Sequence, residues 1–296
     1  MTFKIFSGLY TAVITPFKNG KIDESAFEKI LNHQISGGVD GIVVAGTTGE
    51  CSTLSHDEQI SLIKLAVKIN NKRVQIIAGT GSNSTSEAIL LTSEAEQCGV
   101  DGALVVAPYY NRGTQEGLFL HFSEIAKNTK LPIILYNVPA RTVVNISDDT
   151  IARIAKQNQN VIGVKDASGD LARVPILRSK IGNEFTLLSG EDMTALAFNV
   201  SGGNGVISVT SNVAPRLCKD LQDATLSKFD LQKAITIQQK LVDLHDTMFC
   251  EVNPIPVKYA MHLMGFCEAE YRLPLCKPSD SSCKKIEASL RNVGLI

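Results

Sequence analysis

The chain lacks several things, and each absence argues against a class of function. Net charge is nearly absent: 29 basic residues face 30 acidic ones, leaving −1 at neutral pH over 296 residues. With no basic surplus to track a phosphate backbone, nucleic acid is not an expected partner. No run of about 18 apolar residues occurs. The amino terminus, M-T-F-K-I-F-S-G-L-Y, has neither a continuous apolar stretch nor a small-residue cleavage site. Neither export nor a membrane span is expected. The seven cysteines (51, 98, 218, 250, 267, 276 and 283) are scattered, odd in number and without a C-x-x-C pair. That usage fits reduced thiols in a cytoplasmic protein better than a disulfide framework. The five histidines (33, 56, 121, 245 and 262) show no H-x-H or H-E-x-x-H spacing, so a zinc-dependent aldolase or hydrolase has no support. A G-x-S-x-G elbow and a P-loop are also missing. Gly79-Thr80-Gly81 is a lone G-x-G that a tight turn explains as well as a phosphate would.

What the chain does have is a rhythm. Apolar runs recur at 9–15, 41–45, 74–78, 103–107, 132–136, 161–165, 185–189 and 205–209. Most are too continuous to have a wet face, as in parallel strands covered by helices. Between them lie amphipathic stretches. Ser55-His56-Asp57-Glu58 and Ser84-Thr85-Ser86-Glu87 have the S-x-x-E form of a capping box. Phe27, Ile30, Leu31 and Ile35 share a helical face that ends at Gly37-Gly38, and another helix stops at Gly99. Eight strands alternating with helices predict an α/β fold, a closed (β/α)8 TIM barrel. An open doubly wound sheet is the rival, but it usually carries G-x-G-x-x-G after its first strand, where this chain has Thr15-Pro16-Phe17. We therefore place the catalytic barrel over 1–225 and a small C-terminal helical extension over 226–296, with helices over 229–248, 254–264 and 279–293. No low-complexity linker separates the two parts.

Barrel chemistry sits at the carboxyl ends of the strands. Those ends bring Thr47-Thr48, Tyr109-Tyr110, Tyr136, Arg141, Lys165, Gly190 and Ile207 to one rim. Each has an ordinary explanation taken alone: a solvated lysine, a packed tyrosine ring, a threonine turn, a surface arginine. The shared rim is what makes a site of them. Lys165 ends an apolar strand, N-V-I-G-V-K-D, where an unpaired charge is costly. A lysine near the usual pKa of about 10.4 offers roughly one neutral amine in a few thousand at pH 7. Desolvation that lowers it by about three units costs the cation about 4 kcal/mol and leaves a usable nucleophile. Such an amine attacks a ketone to form an imine, which acts as an electron sink. Tyrosine and threonine hydroxyls can shuttle the protons this requires.

At these residues the chain resembles a known family. G-T-T-G-E at 46–50, Y-N-V-P-A-R-T at 136–142, G-V-K-D-A-S-G at 163–169, G-V-I-S-V at 205–209 and N-P-I-P-V-K at 253–258 are similar to the dihydrodipicolinate synthase family. The likeness runs along essentially the whole chain. The lysine and G-T-T-G-E motifs are shared with N-acetylneuraminate lyase and 2-keto-3-deoxygluconate aldolase, so a pyruvate-dependent aldolase acting on a sugar acid is an alternative. Arg141, which the sialate lyases lack, argues against it. A catalytically idle keto-acid-binding paralogue is another alternative.

The resemblance implies a lyase that condenses pyruvate with L-aspartate 4-semialdehyde at the committed step towards diaminopimelate and lysine. It needs no metal or other cofactor, and it is typically a homotetramer built as a dimer of dimers. Lys165 would form the Schiff base. Tyr136 would exchange protons, with Thr47 linking it to Tyr110 of a neighbouring subunit. Thr48 would hold the pyruvate carboxylate, the Ile207 backbone would face the imine, Gly190 would line the substrate site, and Arg141 would take the semialdehyde carboxylate. Some members are inhibited by lysine at the dimer interface; His56, Asn83, Glu87 and Tyr109 match positions lining that site, with Cys51 and Ser52 close by. Gln59 departs from the residues found there in both inhibited and insensitive enzymes.

Overall fold

The computed structural model describes residues 6–296; Met1–Ile5, the first half of the amino-terminal stretch read above, lie outside the described residues. Among the described residues ten strands form: β1 Gly8–Ala12, β2 Phe17–Lys18, β3 Lys21–Ile22, β4 Gly41–Val44, β5 Gln75–Gly79, β6 Gly102–Val106, β7 Ile133–Asn137, β8 Val161–Asp166, β9 Thr186–Ser189 and β10 Gly205–Ser208. Eight of them close into an all-parallel barrel in the order β1-β10-β9-β8-β7-β6-β5-β4. This is the TIM-barrel fold.

Side-chain alternation along the strands divides the apolar residues into two cores. One fills the barrel and includes Phe6, Tyr10, Val43, Ile77, Leu104, Ile134, Tyr136, Leu188 and Ile207. The other lies between strands and helices, with Leu9, Ile42, Val44, Ile76, Val105, Leu135, Val164 and Leu187 facing outward. Both faces of each strand are therefore dry, which is why these segments read as continuous apolar runs. Glycines stand where strands crowd a neighbour. A Cβ on Gly41 would lie 2.3 Å from the Tyr10 ring, and one on Gly163 would lie 2.7 Å from the Thr186 carbonyl oxygen.

The structure corrects the reading in three places. The first run, expected over 9–15, leaves the barrel after Ala12, because Asn212 Oδ1 accepts the Ile14 N–H at 3.2 Å. The chain then makes the antiparallel hairpin β2–β3 around Asn19-Gly20, both at positive φ, which the sequence reading missed. Of the two expected capping boxes, only that of helix His56–Asn70 has both arms: Glu58 N donates to Ser55 Oγ and Ser55 N donates to Glu58 Oε2. At helix Thr85–Cys98 the Glu87 carboxylate accepts from Ser82 Oγ instead of reaching back to Ser84 N, so half the box is absent.

Past Leu226 the chain is helical, with helices Leu231–Thr247, Ile255–Leu263 and Asp280–Asn292. This part reaches back to the barrel mouth. The Glu270 carboxylate accepts from the backbone N–H groups of Asn19 and Gly20. Arg272 makes a two-pronged pair with Glu58 and donates to the Thr53 and Gly20 carbonyls. Among the described residues no helix is long and apolar enough to cross a membrane.

Candidate active site

Strands β7 and β8 place the central pair. Their register sets Tyr136 beside Lys165, and both side chains point into the barrel. Lys165 is 6% exposed, and its Nζ lies 4.2 Å from the centroid of the Tyr136 ring. Asp166 follows directly, yet alternation sends its carboxylate to the opposite face. There it accepts from Arg173 Nε at 2.9 Å and from Asn137 Nδ2 at 3.2 Å, and it also accepts from Ser168. The nearest carboxylate in sequence is thus committed elsewhere. Among the described residues, Lys165 Nζ has no carboxylate within ion-pairing distance. Gly190 makes room beside it: a Cβ there would stand 3.1 Å from Lys165 Cε.

A cavity of about 420 Å³ opens beside this pair, lined among others by Thr47, Tyr136, Val138, Arg141, Glu50 and Asn253. The lining does not include Lys165, Thr48, Gly190 or Ile207; Lys165 meets it through the Tyr136 ring. Ile207 is fully buried on β10, in the same interior cluster as Tyr136. Thr48 is 2% exposed and its Oγ1 accepts from Asn253 Nδ2 at 3.0 Å. Arg141 is exposed and donates through Nη2 to the Asn253 carbonyl at 2.9 Å. Tyr110 is not brought into the site of its own chain. It is 88% exposed, at φ +72°.

The residues expected to bind an effector divide. Cys51, Ser52, His56, Glu87 and Tyr109 line the same cavity, whereas Asn83 is not in its wall. His56 Nε2 meets Glu94 Oε2 at 2.7 Å. Gln59 is buried, lines the cavity and donates to the Gly79 carbonyl at 2.8 Å. Burial pushes the Cys51 thiol up to about 11, so it stays protonated at neutral pH.

Sequence reasoning missed four residues that the structure adds. Glu50 and Lys258 form an ion pair with no exposed side-chain area on either partner. Asn253 touches both Thr48 and Arg141. Glu191, after β9, is pushed up by burial and by the charge of Asp192, and drawn back down by Lys165 and Arg141. The only hint in the sequence was that Glu50 and the 253–258 segment lie inside motifs quoted above. Among the described residues no three His, Cys, Asp or Glu side chains are grouped so as to hold a metal ion, and all seven cysteines are free.

Residues 5–293 match the model of the "Dihydrodipicolinate synthetase family". A 4-hydroxy-tetrahydrodipicolinate synthase of Parvibaculum lavamentivorans is 50% identical over 292 residues, which are 99% of this chain and 100% of that protein. The chloride-inhibited dihydrodipicolinate synthase of Acinetobacter baumannii, solved in complex with pyruvate, is 44% identical; the match covers 98% of this chain and 99% of that one, with a TM-score of 0.95. The enzyme of Cyanidioschyzon merolae, solved with lysine bound, is 35% identical over the same shares, with a TM-score of 0.96. A dihydrodipicolinate synthase variant described as monomeric is 40% identical, covering 98% of both chains, also with a TM-score of 0.96.

Proposed function

Because this chain belongs to the dihydrodipicolinate synthetase family, we infer its reaction from that premise and assign the steps to its residues. The protein is a 4-hydroxy-tetrahydrodipicolinate synthase, a lyase that condenses pyruvate with L-aspartate 4-semialdehyde through a lysine Schiff base. Lys165 Nζ attacks the pyruvate ketone carbon and water leaves, giving a protonated imine. That imine withdraws electrons from the methyl carbon, which loses a proton to become an enamine. The enamine carbon attacks the semialdehyde carbonyl. The amine of the same substrate then adds to the imine carbon, Lys165 is expelled, and the ring closes.

Tyr136 and Thr47 carry the protons. Thr48 holds the pyruvate carboxylate, the Ile207 backbone faces the imine, and Gly190 leaves space beside the lysine. Arg141 takes the semialdehyde carboxylate, for which a planar guanidinium is geometrically suited. The imine is the electron sink, so neither metal nor organic cofactor is needed. Tyr110 serves the site of a second copy, in the tetramer of paired dimers that the family resemblance implies.

One observation carries the assignment of Lys165: a buried lysine, with no carboxylate in reach, resting on the ring of the proposed proton donor. Borohydride reduction in the presence of pyruvate, after dialysis against a chelator, should leave one adduct on the peptide that contains Lys165. Absence of the adduct, or its appearance on another lysine, removes Lys165 from the mechanism.

The part of the cavity lined by Glu87, His56 and Tyr109 supports a further assignment: it takes free lysine, with Glu87 as counter-charge to the ammonium and His56 and Tyr109 beside it. Gln59 is neutral and so adds no charge there, and its amide N–H is already given to the Gly79 carbonyl. Initial rates should fall as lysine is raised into the millimolar range. A rate that does not change would end this assignment.

A further inference from the structure

The G-T-T-G-E turn is flanked by Ala45 and closed by Glu50, both in a backbone conformation that such residues disfavour. Ala45 and Glu50, one on each side of Thr47-Thr48, have φ of +54° and +55°. The left-handed region crowds any residue bearing a Cβ, and such residues persist there only where their surroundings impose it. Inside the turn, Gly49 N donates to the Gly46 carbonyl at 3.0 Å and Glu50 N to the Thr47 carbonyl at 3.1 Å; from the segment that follows β1, Thr15 Oγ1 donates to the Gly49 carbonyl at 2.7 Å.

The rest of the restraint comes from the far end of the chain. The Glu50 carboxylate is paired with Lys258, both side chains fully buried. Lys258 Nζ also donates to the Glu270 carbonyl at 3.1 Å and sits 4.1 Å from the Phe17 ring centroid. Five residues earlier, Asn253 Nδ2 donates to Thr48 Oγ1, while the Asn253 carbonyl accepts from Arg141. The Asn253 Oδ1 is buried without a partner, which is unusual for an asparagine whose task is only to satisfy the fold. An amide N–H on the threonine oxygen leaves the hydroxyl proton free to point elsewhere, and a substrate carboxylate is an acceptor it suits.

We propose that Asn253 and Lys258 of the helical extension are positioning residues: Lys258 fixes the G-T-T-G-E turn through Glu50, and Asn253 aims the Thr48 hydroxyl at the pyruvate carboxylate. The inference rests on the substrate assignment above. It gives the N-P-I-P-V-K motif a purpose. One short segment holds the groups for both substrates, Thr48 by a side chain and Arg141 by a carbonyl.

That division makes the test selective. Asn253→Ala keeps the carbonyl that holds Arg141 and removes the donor to Thr48. The KM for pyruvate should rise about tenfold, the scale of one hydrogen bond to a charged group, while the KM for the semialdehyde stays within about twofold. Lys258→Met should lower kcat at least about tenfold, because a carboxylate left without its counter-charge in a dry site destabilises the turn it belongs to. Should that variant fail to fold, the double variant Glu50→Gln/Lys258→Met, which buries no charge, supplies the readout. Its thermal midpoint should return to near the parent value while kcat stays depressed. Recovery of kcat together with the midpoint, or an unchanged pyruvate KM in Asn253→Ala, overturns the proposal. A parent protein that traps no pyruvate removes the substrate assignment and this inference with it. A parent that traps, alongside an Asn253→Ala variant that half-saturates at the same pyruvate concentration, removes this inference alone.

Discussion

His121, on helix Gln115–Lys127, is 6% exposed; its Nδ1 meets Thr85 Oγ1 at 2.9 Å and its Nε2 has no partner. Burial pushes this imidazole down to about 4. The folded value therefore lies below the usual 6.5 or so of an unfolded histidine, and between the two the unfolded chain binds more protons. Stability rises with pH across that window and is lost as pH falls from about 6.5 towards 4. The full loss from a shift of this size is about 3 kcal/mol. His121→Leu should flatten the curve: the fall in unfolding free energy between pH 7 and pH 4, measured by urea titration, should shrink by up to that amount. Parallel pH curves for parent and variant would refute the argument. The residues of the site differ in how legible they were for a related reason. Lys165 and Tyr136 could be read because strand alternation is local and a polar residue ending an apolar run is conspicuous. Asn253 and Lys258 could not, since their partners Thr48 and Glu50 lie 205 and 208 positions away.

At the scale of elements, the eight barrel strands were legible because helices cover the outer face and side chains fill the inner one. Every strand had to be apolar on both sides, and each stands within a few residues of its expected place. The failures came where a side chain from elsewhere took over a backbone group. Asn212 captured the Ile14 N–H and shortened β1. Ser82 captured the Glu87 carboxylate and left the second capping box half made. The β2–β3 hairpin escaped notice because two residues per strand are too few to show an alternation, although Asn-Gly at its tip is a strong hairpin signal in itself. The helices past Leu226 were found by their periodicity, yet nothing local to them indicates that Glu270 and Arg272 return to grip that hairpin and the start of helix His56–Asn70. Such a grip is a tertiary contact between distant polar residues, and hydrophobic periodicity carries no trace of it.

At the scale of the molecule, one proposed catalytic group stands apart from the site of its own chain, where Lys165, Tyr136 and Thr47 gather at or beside the cavity. Tyr110 stands 88% exposed on the rim, beside Tyr109 at 40%, and its backbone is in the left-handed region. A tyrosine ring left in water forgoes the burial that usually stabilises it, and a second copy of the chain would provide that burial. If Tyr110 acts in the neighbour's site, two crippled chains can repair each other. Lys165→Ala lacks the nucleophile but retains Tyr110; Tyr110→Phe lacks the phenol but retains Lys165. Each alone should be nearly inactive, Lys165→Ala completely so. After co-expression, half of the dimers pair one chain of each kind, and one of their two sites then has Lys165 from one chain and Tyr110 from the other. The mixture should recover about a quarter of the parent kcat, a fraction fixed by twofold symmetry alone. If Tyr110 served its own chain, no mixed site could be complete, and the mixture would show only the average of the two variants. The same measurement diluted below the dimer's dissociation constant should lose the recovered activity, because a shared site cannot outlast the pair that forms it.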